Sequence, residues 1–303
     1  MKNYRNNLLL HIILSGFLLF ASCNKTVDVI AVNASQVSKI PLPKILNYQC
    51  DHVPDYGDSI IYLQPSHQDY IVKPLNAGIL GKGKYVAWPS GLIIDSASGT
   101  INVSESETGL RYIIGFIKEG SKDTCVSNLI LGGITYVDSI YVLASNDTLA
   151  IPYYNANAAT AAVCDASNDF DYPEFPGYGE GNNKCEFDGK DKNGKKGQAN
   201  AKKVKVRTIS GIINLKATLA AGAFGNNPVN GSSVSVPIVY SLNDESKKAT
   251  QQIDVQLIYY ENKSDIPVAA TNSIAENRNS FFKNNAILGA PRPPVIIIAR
   301  FLR

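Results

Sequence analysis

From Ser59 onward the chain is written in short runs of β-branched and aromatic residues, each cut off by Gly, Ser, Asn or Asp. The first runs are Ile60-Ile61-Tyr62-Leu63, Tyr70-Ile71-Val72 and Tyr85-Val86-Ala87-Trp88. Residues 111–117 (RYIIGFI) form an apolar core strand, and residues 136–142 (YVDSIYV) suit the last strand of the same module. Runs this short, punctuated this often, predict antiparallel strands packed as a sandwich. Asp95-Ser96-Ala97-Ser98-Gly99 carries hairpin chemistry: Asp and Ser bond local amides, and Gly takes positive φ. Ile94 and Ile101 then enter and leave the turn as core contacts. Trp88, the single tryptophan, is read as a core residue rather than a binding platform.

The second half repeats the pattern. Ile213, Leu215, Ala217 and Leu219 fall on alternate positions, as do Val234, Val236, Ile238 and Tyr240, and then Ile253, Val255, Leu257 and Tyr259. These predict consecutive antiparallel strands of a second sandwich. Ser273 and Glu276 have capping-box spacing, which predicts one short helix ending near Gly289. Val295 to Ala299 is wholly apolar and reads as a buried last strand.

The N-terminus sets the compartment. Lys2 and Arg5 precede an apolar run from Leu8 to Phe20, about 20 Å long as a helix and short of the roughly 30 Å hydrocarbon core. A charged start, a short apolar centre and the small residues Ala21 and Ser22 describe a secretory signal. Leu19-Phe20-Ala21-Ser22-Cys23 resembles the lipobox of bacterial lipoproteins, with Phe20 where Leu, Val or Ile is usual. The resemblance implies cleavage before Cys23 and acyl chains on it, a membrane attachment that needs no spanning helix. Asn24, rather than Asp, after the cysteine implies the Gram-negative outer membrane, with the leaflet left open. Removing Lys2 and Arg5 from the 29 basic residues leaves 27 against 26 acidic ones. So balanced a chain lacks the basic excess of a nucleic-acid binder.

Four cysteines then remain: Cys50, Cys125, Cys164 and Cys185. An even count in an exported chain suggests two disulfides, and three connectivities are open. Cys50–Cys125 and Cys164–Cys185 are favoured because each pair falls within one proposed domain. Without a C-x-x-C spacing, and with only His52 and His67 in the mature chain, a zinc site is not expected.

Gly91-Leu92-Ile93-Ile94-Asp95, Ser98-Gly99-Thr100-Ile101-Asn102-Val103, Gly109 and Tyr112 resemble the signature of Ig-like, cadherin-like repeats in bacterial surface proteins and adhesins. The resemblance covers roughly residues 59–143 and implies an Ig-like sandwich; no acidic cluster matches the cadherin calcium motifs. The expected fold is all-β, two β-sandwich domains with the first Ig-like, after a cleaved lipoprotein signal. The divisions are residues 1–22 (signal), 23–48 (lipid-anchored tether), 49–148 (Ig-like) and 149–303 (second sandwich). The last contains a long irregular loop at 155–201. Within the tether, VDVIAV at 27–32 reads equally as an edge strand.

Candidate ligand contacts sit on that loop. Phe170, Tyr172, Phe175 and Tyr178 offer flat faces to a sugar or peptide, or fold back to pin the loop. Between Lys184 and Arg207 lies a basic excess, with Lys203, Lys205 and Arg207 alternating with Val204 and Val206 as on a strand with a solvated face. Aligning Asp191, Asn193 and Gly194 with a calcium loop puts Gly189 and Asn200 where carboxylates belong, so that motif fails. His52 or His67 beside Asp51, Asp55 and Asp58 lacks a G-x-S-x-G companion. Asp165, Asp169, Asp171 and Glu174 cannot be paired for glycoside hydrolysis from sequence. The leading expectation is a non-catalytic surface lipoprotein, without cofactor or metal, whose Ig-like modules serve adhesion or surface assembly. A glycan-binding lipoprotein of a polysaccharide uptake system is the alternative, and a small surface hydrolase the second. Mass spectrometry of the non-reduced chain is expected to find both disulfides; four free thiols would contradict the cysteine reading.

Overall fold

The computed structural model describes residues 46–47, 50, 52–164, 185–283 and 293–303. In chain order the elements are β1 (Leu46–Asn47), β2 (Ile60–Ile61), β3 (Ile71–Val72), α1 (Ala77–Leu80), β4 (Gly83–Trp88) and β5 (Ile101–Asn102). There follow β6 (Leu110–Lys118), β7 (Thr124–Leu131), β8 (Ile134–Thr135), β9 (Ser139–Val142), β10 (Leu149–Ala150) and β11 (Tyr153–Tyr154). The remainder are β12 (Glu186–Phe187), α2 (Gln198–Ala201), β13 (Ile213–Asn214), α3 (Leu215–Ala220), β14 (Ser233–Ser241), β15 (Gln251–Asn262), α4 (Val268–Phe282) and β16 (Val295–Phe301). The class is all-β: strands in several sheets, with few helices.

The N-terminal module is built on the antiparallel ladder β4-β6-β7, with β1 and β2 parallel to the outer side of β7. One face of this sheet carries Tyr85, Tyr112, Ile114, Phe116, Leu129 and Leu131, which pack against Ile101 and Val103 from the small β3–β5 layer. Trp88 is buried on a separate cluster with Ile113 and Val126. The expected hairpin is present. The Asp95 N–H donates to the Thr100 carbonyl, and its carboxylate accepts from the Ser98 amide at 2.7 Å and from the Ala97 amide. Those bonds, led by the Ser98 N–H, hold the Asp95 carboxyl below the usual carboxylate range. Gly99 takes φ +72°, and a Cβ there would stand 2.6 Å from the Tyr85 ring. Both the turn and the close approach therefore require glycine.

The C-terminal sheet runs β12-β14-β15-β16-β9. β14 and β15 are the expected antiparallel pair. The next strand departs from the expected meander: α4 carries the chain across, and β16 returns parallel to β15. A parallel neighbour needs such a crossover, because a short turn cannot reach it. β16 is buried on both faces from Ile296 to Ala299, which is why that stretch is uniformly apolar. Ile296 and Ile298 face a core with Val255, Leu257, Tyr259, Val204, Val206 and Leu215. Ile297 and Ala299 face Ile258, Tyr260 and Ile274 under α4.

Three local expectations are corrected. Residues 139–142, expected to close the first module, form β9 and pair parallel with β16 in the C-terminal sheet. Residues 215–220 are helical rather than extended. The Asn214 side chain caps α3 by accepting from the Ala217 N–H at 3.0 Å, and Ala, Leu and Lys favour the helix once it starts. α4 begins at Val268, not Ser273, with Pro267 before its first turn. Its expected end near Gly289, like the tether strand at 27–32, lies outside the described residues.

The sheets built on β7 and on β15 meet through buried polar groups. The Tyr240 hydroxyl lies 2.9 Å from Thr108 Oγ1, accepts from the Ile134 N–H at 3.2 Å and reaches Gln251 Oε1 at 3.2 Å. Asn155 donates to the Tyr62 hydroxyl, and Gln64 donates to the Glu245 carbonyl. Gly109 sits so close to Ile134 that a Cβ would stand 1.9 Å from its carbonyl oxygen. Replacing Tyr240 by Phe leaves those partners buried without the hydroxyl. The expected loss is about 1–3 kcal/mol of stability, read from urea unfolding; an unchanged midpoint would show that the network contributes nothing.

Candidate functional site

Cys23 and the aromatic residues Phe170, Tyr172, Phe175 and Tyr178 lie outside the described residues. Cys50–Cys125 and Cys164–Cys185 are both formed, each with its Cα atoms 5.7 Å apart. Val204 and Val206 are fully buried between the more exposed Lys203, Lys205 and Arg207, as the alternation predicts. Asp191 accepts from the Asn193 and Lys195 amides within its own turn. Asp188, three residues before it, is buried and caps the segment at Ala199 and Asn200 through their N–H groups. Among the described residues no three His, Cys, Asp or Glu side chains gather as a metal site would need, and no helix is long and apolar enough to cross a membrane.

A concave feature lies on the outer edge of β7. β1 pairs with Thr124 and Cys125, and β2 with Ile130 and Leu131. Between them, residues 126–129 have no strand partner on that side among the described residues. Residues 52–59 bow past this stretch through Pro54 and Gly57, whose φ is +89°. Below the bow is a cavity of about 420 Å³ lined by His52, Asp55, Asp58, Ser127, Asn128 and Leu129 among others.

The bow is held from several directions. The Leu75 N–H donates to the Asp55 carbonyl at 2.7 Å, while Asn76 accepts from the Asp55 N–H and donates to the Val53 carbonyl. The Asp55 carboxylate accepts from the Gly57 N–H at 2.8 Å. Tyr56 turns inward and donates to the Gly99 carbonyl at 2.7 Å. Burial, helped by the neighbouring Tyr85, pushes its phenol above the ordinary tyrosine range, so Tyr56 stays a neutral hydrogen-bond donor. The Cys50–Cys125 bridge ties down the other end.

Strand alternation decides what the cavity offers. The N–H groups of Ile130 and Gly132 donate outward, to Ser59 and Ile61. Even-numbered residues of β7 therefore aim their main-chain groups away from β6, and Asn128 does so into the cavity. Ser127 Oγ is buried with no hydrogen-bond partner. His52 and His67, weighed above for a triad, are placed apart in role: His52 lines the cavity, whereas His67 sits exposed in a bend. Neither forms an ion pair with a carboxylate among the described residues. What the arrangement can do is recognise an extended main chain by adding it to a sheet edge. Sequence reading missed it because β7 looks like an ordinary strand; the available signal was Pro54 and Gly57 interrupting the segment that should cover it.

No family model matches this chain, and no curated protein does. Among solved structures it is similar to the crystal structure of Drosophila N-cadherin EC1-4, at 10% identity with a TM-score of 0.19. That alignment covers 68% of this chain and 49% of the other, so the chain spans about half its length. A score of that size carries no argument, and the fold rests on the strand pairing above.

Asn128→Pro is expected to remove only the outward N–H and to leave the melting temperature within a few degrees. Ser127→Pro, which deletes an N–H aimed at β6, is expected to cost at least about 2 kcal/mol. Equal losses in thermal unfolding would show that the alternation is misassigned.

Proposed function

We propose that this chain is a non-catalytic, lipid-anchored surface protein whose Ig-like modules serve adhesion or surface assembly. The open stretch of β7 receives an extended segment of a partner surface protein. The observation that carries this reading is the edge at residues 126–129, which has no strand partner among the described residues and lies above a cavity whose bow and disulfide keep it in place. An exposed edge is ordinarily blunted or covered; here one peptide's length is left open, flanked by the carboxylates of Asp55 and Asp58. Main-chain bonds supply affinity in such pairing, and the flanking side chains supply selectivity. Asp55 and Asp58 favour a segment carrying Lys or Arg.

Attachment is proposed through acyl chains on Cys23, at the outer membrane, on the strength of the lipobox-like residues 19–23 and of Asn24. In this arrangement the membrane is a partner through the lipid alone. The polar junction around Tyr240 supports the same reading, since linked modules that do not swivel present their edge in a fixed orientation.

In Gram-negative cells making the full chain, Cys23→Ser is expected to move the protein from the outer-membrane fraction to the soluble one. Asn128→Pro is expected to stay membrane-bound yet lower cell–cell aggregation by more than half. Aggregation unchanged by Asn128→Pro would overturn the role of the edge, and membrane retention of Cys23→Ser would overturn the anchor.

A further inference from the structure

A second exposed feature lies on the C-terminal module, away from the β7 edge. Residues 147–154 run extended, with Ala150, Pro152 and Tyr154 turned inward and buried. Asp147, Leu149, Ile151 and Tyr153 therefore share the outward side. Leu149 is 39% exposed and Ile151 54%, so the stripe is open along its length.

The last turn of α4 arrives beside its aromatic end. Phe281 and Phe282 lie with ring centroids 5.3 and 5.8 Å from Tyr153 and 5.4 Å from each other. Phe282 is nearly edge-on to both and remains 41% exposed. One turn earlier, Arg278 lies over the Phe282 ring, 5.1 Å from its centroid, and donates to Ser139 Oγ. Asp147 lies within reach of its charge: burial raises the Asp147 carboxyl above the usual range, and Arg278 opposes that rise. Tyr141 completes the cluster. Burial, then Asp147, push its phenol up to about 12, while a hydrogen bond with Ser139 acts the other way.

We infer that this cluster is a binding face for a neutral oligosaccharide, with Phe282 and Tyr153 against the apolar faces of its sugar rings. Arg278 and Asp147 then donate to and accept from the hydroxyls. Three features select that class. The two charges are opposite, so the patch has no net field to hold an anionic lipid or polyanion. A handful of side chains is too few for a stable protein interface, which needs about 20–30 residues a side. The stripe from Asp147 to Tyr153 is about 20 Å long, the shape of a chain of sugars rather than of one ring. Apolar platforms with a few placed polar groups are the usual construction of small-ligand sites. This site goes beyond the adhesion reading and is separate from the β7 edge, so either can fail without the other.

The test is isothermal titration of the full chain, acylated and held in detergent micelles, with a panel of neutral hexasaccharides from β-glucan, mannan and xylan. Saturable binding to at least one is expected. Phe282→Leu keeps the apolar bulk but removes the ring face, and is expected to weaken binding about tenfold with the melting temperature unchanged. Tyr153→Ala is expected to do the same or more, and Asn128→Pro to bind as wild type. No binding to any member of the panel overturns the proposal, as does a folded Phe282→Leu that binds like wild type. Capture of a surface protein that is lost in Phe282→Leu, without sugar binding, would assign the face to a protein partner instead.

Discussion

The C-terminal half depends on one strand being apolar on both sides. β16 lies between β15 and β9, with Ile296 and Ile298 in one core and Ile297 and Ala299 in the other. Water is excluded from both faces only if α4 covers one and the segment around Val204, Val206 and Leu215 covers the other. Burying four such side chains is worth several kcal/mol at about 1.5–3 kcal/mol for a large aliphatic residue. The same strand recruits Ser139–Val142, so the end of the first module's sequence is held by the second module's sheet. Asp138 secures that arrangement: it is buried, and accepts from the Val295 N–H and from Asn277 on α4.

Much of this was legible in the sequence because it rests on local chemistry. The Asp95–Gly99 turn announces itself through side-chain acceptors and a glycine that no other residue could replace. The alternation in β14 and β15, and the unbroken apolar run of β16, state their burial directly. What was not legible is pairing direction. The same apolar run fits an antiparallel edge or a doubly buried parallel strand, and only α4 between β15 and β16 settles which. Residues 213–219 alternate as a strand would, but Asn214 can cap a helix, and a six-residue helix obeys that local bond rather than the alternation. For the proposed binding features, the edge at Asn128, without a strand partner among the described residues, exists only as a relation between segments far apart in sequence. The aromatic cluster joins Tyr153 to Phe281 and Phe282, over a hundred residues away.

The junction gives the two proposed sites a common frame. Thr108, Ile134 and Tyr240 come from both halves, and their bonds are buried where water cannot compete. Gly109 against Ile134 leaves no room for sliding. An edge on one module and an aromatic face on the other are thus held at a set spacing, as a protein engaging two partners at once requires.

The Cys50–Cys125 bridge encloses a stretch separated by 75 positions, and this has a mechanical consequence. Tension applied at the N-terminal end enters at Cys50 and passes through the covalent link straight into β7. It bypasses the chain that runs from β2 to β6. Those strands can be neither unzipped in sequence nor drawn out as slack, because the loop that contains them is closed. The load falls instead on the bonds that β7 makes from Cys125 onward to β6 and β2, and the chain's extension under a pull is set by those bonds and by what lies beyond them.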